Sequence, residues 1–375
     1  MPSYRPPCHF PPEGTPGLPC ASRRRLLHMG AASGLGLVLP GAFAAGPQPA
    51  GGWPVRRADI QVNGQSFHVL EQGEGPAVMF CHGFPDTADT WRSQMAAVAQ
   101  AGFRAIAPDM RGYGNSYAPE DPALYSAPHV SGDLVGILDA RGIDHAVLVG
   151  HDWGADHVQR AALLRPDRFR ALVSISIPYA PRGERNTWDD LRAKGLAGRY
   201  YAFDMMQPDA ERRIAPPATT IPGVLYWASA SAPAATRWDP LDPKRSLLRP
   251  APGPESGQLI GWADPAYVRH TVAAFERTGF RGGLNYYRAL PLTFDLMPAF
   301  KNMPLRQPSL YIWGAADGLC QFLHPGGPKL ADMRKTQPGL VDAIRFDNVV
   351  HWVQHEAAAR LNTELVRFLR ALPAA

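Results

Sequence analysis

The chain has 375 residues, 45% of them hydrophobic and 19% charged, with a formal charge of +5. That balance excludes a disordered or low-complexity chain and gives enough length for one large α/β domain or two ordinary ones. Most of the positive excess lies in residues 1–44, where Arg5, Arg23, Arg24 and Arg25 stand against Glu13, so the remainder offers no electrostatic reason to expect nucleic acid or an anionic membrane as a partner.

The chain opens on a proline-rich tail and then Ser22-Arg23-Arg24-Arg25-Leu26-Leu27. An apolar stretch follows from Gly30 to Phe43, ending in the small-x-small sequence Ala42-Phe43-Ala44. Basic, then apolar, then small is the grammar of an export signal. Paired arginines after a serine resemble a twin-arginine signal, although the general secretory route reads much the same grammar. Residues 1–44 are therefore expected to send the protein to the periplasm or outside the cell. The apolar stretch is short and glycine-rich, so no stable membrane anchor is expected once the signal is removed. Cleavage would also remove Cys8 and Cys20. The remaining Cys81 and Cys320 have neither zinc-site nor disulfide-framework spacing and are expected to be free packing residues. Residues 45–55 read as a flexible lead-in.

From residue 56 the pattern is regular. Segments near 56–63 and 67–73 alternate as strands of a hairpin, with Asn63-Gly64 at the turn. Ala77–Cys81, Arg104–Ala107, Ala146–Val149, Ala171–Ile177, Leu310–Trp313 and Ala343–Phe346 are short apolar runs. Such runs suit a parallel sheet covered on both faces. Helical faces lie between them: Trp91, Met95 and Val98 with Gly102 as a stop, and Val130, Leu134 and Ile137. The stripe Leu361, Leu365, Phe368, Leu369 and Leu372 ends the chain. Strands alternating with helices predict an α/β fold. The rhythm breaks over 181–302, where helix signals outnumber strand runs. Asp264-Pro265 reads as the start of a helix running through Phe275, and the proline-rich stretch Trp238–Gly257 as a surface loop. The division is thus 56–180 as the first part of the core, 181–302 as an inserted helical cap, and 303–375 as the second part of the core.

The chemistry concentrates at strand ends. Gly150-His151-Asp152-Trp153-Gly154 follows an apolar strand and opens a helix. Small residues two before and two after the centre let strand and helix close on each other through a sharp turn, which projects the central side chain. That side chain is usually serine; here it is Asp152, a candidate nucleophile. Cys81-His82-Gly83-Phe84-Pro85 ends another strand, so the backbone N–H groups of Phe84 and Trp153 are candidates for an oxyanion hole. Asp317 follows the strand at 310–313, and His351 follows that at 343–346. The order Asp152, Asp317, His351 is the nucleophile–acid–base order of this strand–turn–helix architecture. His351-x-x-x-His355 has Trp352 where a zinc-binding helix carries glutamate, so a metal is not expected.

His82-Gly83-Phe84-Pro85, Arg111-Gly112-Tyr113-Gly114-Asn115-Ser116, Gly150-His151-Asp152-Trp153-Gly154 and His351-Trp352-Val353-Gln354 together resemble the epoxide hydrolase branch of the α/β-hydrolases. The resemblance runs from residue 56 to the C-terminus. It implies an eight-stranded, mostly parallel sheet flanked by helices, with an inserted helical cap. Gly282-Gly283-Leu284-Asn285-Tyr286-Tyr287-Arg288 resembles the family segment whose tyrosine, here Tyr287, contacts the epoxide oxygen. Arg199-Tyr200-Tyr201 resembles the segment supplying a second tyrosine, assigned to Tyr201 with Tyr200 as the alternative. Phe84, Trp153, Tyr201 and Tyr287 are accordingly the expected substrate contacts. The chemistry needs such donors, because ring opening creates an alkoxide too basic to persist near neutral pH, and a phenol with an ordinary pKa of about 10 can protonate it.

The implied cycle has Asp152 form an alkyl ester with a small-molecule epoxide, which water activated by His351 and Asp317 then hydrolyses to a diol, with no cofactor. The main rival is a haloalkane dehalogenase, which uses the same ester and would take Trp153 as a halide contact. Phe84 stands where dehalogenases often carry a polar residue, which disfavours it. A fluoroacetate-type dehalogenase would have arginine after its nucleophile, where this chain has Trp153. A serine esterase lacks its nucleophile here. A non-catalytic binding protein would not need Asp152, Asp317 and His351 together. Two departures bear on geometry: Val350 precedes His351 where the family usually has glycine, and Asp156, one turn after Asp152, is expected to face away from it.

Overall fold

The protein is represented by a computed structural model that describes residues 52–245, 247–248 and 261–373. The expected export signal, and the lead-in as far as residue 51, lie outside the described residues.

Strands β1 (Arg56–Val62) and β2 (Gln65–Gln72) pair antiparallel. Asn63 and Gly64 turn between them at φ 52° and 76°, the left-handed region a two-residue hairpin turn needs. The alternation then begins: β3 (Ala77–Cys81), α1 (Arg92–Gln100), β4 (Arg104–Pro108), α2 (Ala127–Ala140), β5 (Ala146–His151), α3 (Trp153–Leu164) and β6 (Phe169–Ile175). Next come α4 (Thr187–Ala193), α5 (Tyr201–Met205), α6 (Ala210–Arg213), α7 (Pro217–Trp227), α8 (Pro265–Thr278), α9 (Arg281–Arg288) and α10 (Leu290–Leu296), with no strand between them among the described residues. The core resumes with β7 (Ser309–Gly314), α11 (Gly318–Leu323), α12 (Leu330–Thr336), β8 (Leu340–Phe346), α13 (Val353–Glu356) and α14 (Ala358–Ala371).

The eight strands form one sheet in the order β1-β2-β4-β3-β5-β6-β7-β8. Only the β1–β2 and β2–β4 pairs are antiparallel; from β4 to β8 every neighbour is parallel. Successive residues of a strand face opposite sides, and in the central strands both sides are buried, whereas the edge strands β1 and β8 are partly exposed. Met79 and Cys81 enter one apolar cluster, Val78 and Phe80 another. The second cluster is closed by Trp91, just before α1, and by α1 and α14 through Met95, Leu361, Leu365 and Leu369, all at 0% exposure. Each such large side chain contributes about 2 kcal/mol on burial. The first cluster runs without a break into the cap, taking in Trp188, Tyr267 and Tyr287. Cys81 and Cys320 are buried and unpaired.

The described part of Trp238–Gly257 does not simply cross the surface, because Trp238, Leu247 and Leu248 are all buried. Prolines restrict the backbone but do not decide where the apolar side chains between them go. Among the described residues, no helix is long and apolar enough to cross a membrane.

Candidate active site

β5 ends at His151 and α3 begins at Trp153, so Asp152 alone turns the chain. It does so at φ 54° and ψ −121°. A non-glycine residue held there stores about 1–3 kcal/mol of strain. The turn closes only because its flanks lack side chains. A Cβ on Gly150 would lie 2.3 Å from the Gly154 carbonyl oxygen, and one on Gly154 would lie 2.0 Å from that of Cys81. The Asp152 side chain is thereby fixed beyond the sheet end, buried beneath the cap.

Its two carboxylate oxygens have different surroundings. The Phe84 N–H donates to Oδ1 at 2.9 Å, and the Trp153 N–H also bonds the carboxylate. Gly83 permits this approach, since a Cβ there would meet Oδ1 at 2.4 Å. Oδ2 instead faces His351 Nε2 at 3.7 Å. Burial raises the Asp152 pKa above the usual carboxylate range, against the opposing effects of His351 and the two N–H groups.

His351 is oriented from several directions. Its Nδ1 lies 3.1 Å from Asp317 Oδ2, and the other Asp317 oxygen accepts the Leu319 N–H at 2.9 Å, capping α11. With Nδ1–H directed at Asp317, Nε2 faces Asp152 and has its lone pair available whenever the ring is neutral. The His351 carbonyl accepts from His151 Nε2 at 2.8 Å and Ser176 Oγ at 3.2 Å. Burial works against a charged ring, but the Asp317, Asp152 and Glu356 carboxylates outweigh it and push the His351 pKa up to about 8.

Sequence reasoning missed Glu356. Its half-buried carboxylate accepts the N–H groups of Ala230 at 2.7 Å, Val350 at 3.2 Å and Trp352 at 3.0 Å. The two residues flanking His351 are thus held by one carboxylate, which also ties them to the segment after α7. This clamp fixes the loop around Val350. The only signal in the sequence was an acid in the first turn of α13, which reads as an ordinary favourable charge at a helix start.

Across from Asp152, the cap presents Tyr287 on α9 and Tyr201 at the start of α5. Their hydroxyls hydrogen-bond each other, and their rings meet edge to face with centroids 5.9 Å apart. The Trp153 indole N–H bonds Tyr287, with ring centroids at 4.7 Å. Burial holds both phenols in the protonated form, with pKa values well above the ordinary one. Tyr200 is placed differently: its ring stacks on Phe322 at 4.7 Å.

Two cavities meet at this point. One, of about 150 Å³, is lined by Asp152, Trp153, Tyr200, Tyr201, Tyr287 and several leucines. It shares walls with a wider cleft of about 690 Å³. The other, of about 10 Å³, is lined by Phe84, Asp152, His351, Tyr201, Tyr287 and a shell of apolar side chains. The structure thus brings together all seven sequence-assigned residues: Asp152, Asp317, His351, Tyr201, Tyr287, Phe84 and Trp153. Asp156, expected to face away, instead lines the larger cavity with Asp152, and its carboxylate is engaged there by Arg160 through two bonds of 2.7 and 2.8 Å. His355 stays apart from the group, held by the Thr90 hydroxyl at 2.8 Å.

The α/β hydrolase fold family profile matches residues 76–358. An epoxide hydrolase of Caballeronia sordidicola is 54% identical over 320 residues, covering 85% of this chain and 95% of that protein. Epoxide hydrolase 1 of Siraitia grosvenorii is 33% identical, covering 84% and 98%. Among solved structures, Epoxide Hydrolase A from Mycobacterium thermoresistibile superposes with a TM-score of 0.77 at 33% identity, covering 86% of this chain and all of that one.

Proposed function

The chain belongs to the epoxide hydrolases of the α/β-hydrolase fold, and from that premise we propose how its own residues add water to an epoxide. The enzyme is a hydrolase of ether bonds, and its product is a vicinal diol. Asp152 Oδ2 attacks one epoxide carbon, the ring C–O bond breaks, and the oxygen takes a proton from the Tyr201–Tyr287 pair. The result is an alkyl ester at Oδ2. His351 Nε2 then removes a proton from water, whose oxygen adds to the Asp152 carboxyl carbon. Negative charge develops on Oδ1, where the Phe84 and Trp153 N–H groups stabilise it. The bond from that carbon to Oδ2 breaks, the imidazolium protonates the departing oxygen, and the diol leaves. The proton on the new carboxyl returns to the tyrosine pair, restoring the starting state.

The observation that supports this reading is the inequality of the two Asp152 oxygens. Oδ1 accepts a backbone N–H at 2.9 Å, as a developing oxyanion requires, while Oδ2 is left for the substrate. The tyrosine pair argues for an epoxide over a halide, because a departing halide needs no proton. The Trp153 indole N–H, which a halide would require, is directed at Tyr287. His351→Gln tests the sequence of steps. It should open the ring and stall at the ester, raising the intact protein mass by one epoxide. Undiminished diol formation by this variant would remove His351 from the hydrolytic step.

We also propose that residues 1–44 export the enzyme to the periplasm or beyond, on the strength of Arg23-Arg24, the apolar stretch and Ala42-Phe43-Ala44. Cell fractionation tests this. Lysine at both Arg23 and Arg24 should hold the protein in the cytoplasm. Unchanged export of that variant would rule out the twin-arginine route, and a cytoplasmic wild type would rule out export altogether.

A further inference from the structure

The site is asymmetric, and the asymmetry bears on which epoxides fit it. Asp152, Tyr201 and Tyr287 line both cavities, so the ring must react at the partition between two lobes. The larger lobe measures about 150 Å³. A cavity of that size holds a benzene-sized group. Trp188, Leu290 and Leu323 line both this lobe and the wider cleft of about 690 Å³, so a longer substituent has a path onward. The smaller lobe measures about 10 Å³, roughly the room one water needs. Val224, Trp238, Leu247 and Trp352 close it, and His351 lines this lobe but not the larger one.

We infer that the enzyme is built for terminal epoxides, whose single apolar substituent lies toward Trp188 and Leu323 while the lobe of Trp238 and Leu247 keeps the water that His351 activates. The inference rests on the epoxide mechanism above. An epoxide substituted in trans at both carbons must send one substituent each way. The second would collide with Trp238 or Leu247 and displace the water that the ester needs. Trp238 is the specificity-determining residue. Its ring stands edge-on to Tyr201 with centroids 5.0 Å apart. Its buried indole N–H has no protein acceptor among the described residues, and a water held in this lobe would supply one.

The test compares the terminal epoxide of octane with its mid-chain trans isomer, which places three carbons on each side of the ring. The two have the same composition. In the wild-type enzyme kcat/KM for the terminal isomer should be higher by about 100-fold, the scale on which a pocket rejects added carbons. Trp238→Ala should lower that ratio by about tenfold by admitting the mid-chain isomer. Leu247→Ala, a smaller excision in the same lobe, should move it in the same direction, and comparison between enzymes cancels the intrinsic reactivity of the isomers. Similar wild-type kcat/KM for both isomers, or a ratio unmoved in both variants, would overturn the inference and leave the epoxide mechanism standing. A wild type that hydrates neither isomer, nor styrene oxide, would contradict that mechanism and this inference together.

Discussion

At the scale of single residues, the charge on Asp152 governs two steps in opposite ways. Ring opening needs the carboxylate ionised, and a charged His351 beside it helps. Ester hydrolysis needs His351 neutral. In the free enzyme burial disfavours the imidazolium, yet Asp317, Asp152 and Glu356 overcome this and raise its pKa to about 8. Alkylation converts Asp152 to a neutral ester and removes one of those charges. His351 must then titrate below 8, so more of it is available as a base near neutral pH. The single-turnover rate of ester hydrolysis should therefore rise with pH to a plateau, with its midpoint below 8. Glu356→Gln should lower the midpoint further and slow hydrolysis by about 10- to 100-fold, since it loosens the backbone on both sides of the base, while ring opening changes less. A midpoint unmoved by Glu356→Gln would assign the carboxylate to folding alone. Tyr201 and Tyr200 show what spacing cannot decide. They are adjacent in sequence, and only their neighbours separate them: Tyr287 for one, Phe322 for the other.

At the scale of elements, α9 explains a glycine pair that had no assigned task. Gly282 packs so tightly on the Gly112 loop that a Cβ would meet the Gly112 carbonyl oxygen at 2.0 Å, and a Cβ on Gly283 would meet the Phe84 ring at 2.4 Å. This close approach sets the distance between Tyr287 and Asp152. Gly282→Ala must push α9 outward. It should cost about 1–3 kcal/mol in a urea melt and slow the ring-opening burst; an unaffected burst would show that Tyr287 is held by other contacts. The central strands were legible because apolar runs buried on both faces leave an unambiguous signature, whereas the edge strand β8 is only partly buried, with Arg345 exposed. So was the turn at Asp152, because Gly150 and Gly154 have no other reason to flank an acid there. The cap helices were legible mainly as a region. They are short, and α7 begins with Pro217 and contains Pro222, which breaks the periodicity that marks a helix. Asp264-Pro265 was the exception: the aspartate accepts the Ala266 N–H at 2.8 Å and caps α8.

At the scale of the whole molecule, the site exists only where cap and core meet, and polar contacts along that seam hold it. The Tyr267 hydroxyl donates to Asp86 at 2.7 Å, and the Tyr286 hydroxyl to the Arg111 carbonyl at 2.7 Å. Burial pushes the Asp86 pKa up to about 7 even with its hydrogen bonds, and its Oδ2 has no hydrogen-bond partner among the described residues. Tyr267→Phe should therefore destabilise the protein by about 1–3 kcal/mol, read as a lower Tm; an unchanged Tm would mean that apolar packing alone seats α8. The shape of the pocket was not legible, because Trp238 and Leu247 on one side and Trp188 and Leu323 on the other come from segments that only the fold brings together. Asp152 was legible as the centre of the site, and on it the account depends. The most direct test is one turnover in heavy-oxygen water, followed by mass spectrometry of the peptide that contains Asp152. The ester route predicts that label enters the Asp152 carboxyl and that the first diol released carries none. Label in the diol with none in Asp152 would mean that water attacks the epoxide directly and that Asp152 is not the nucleophile.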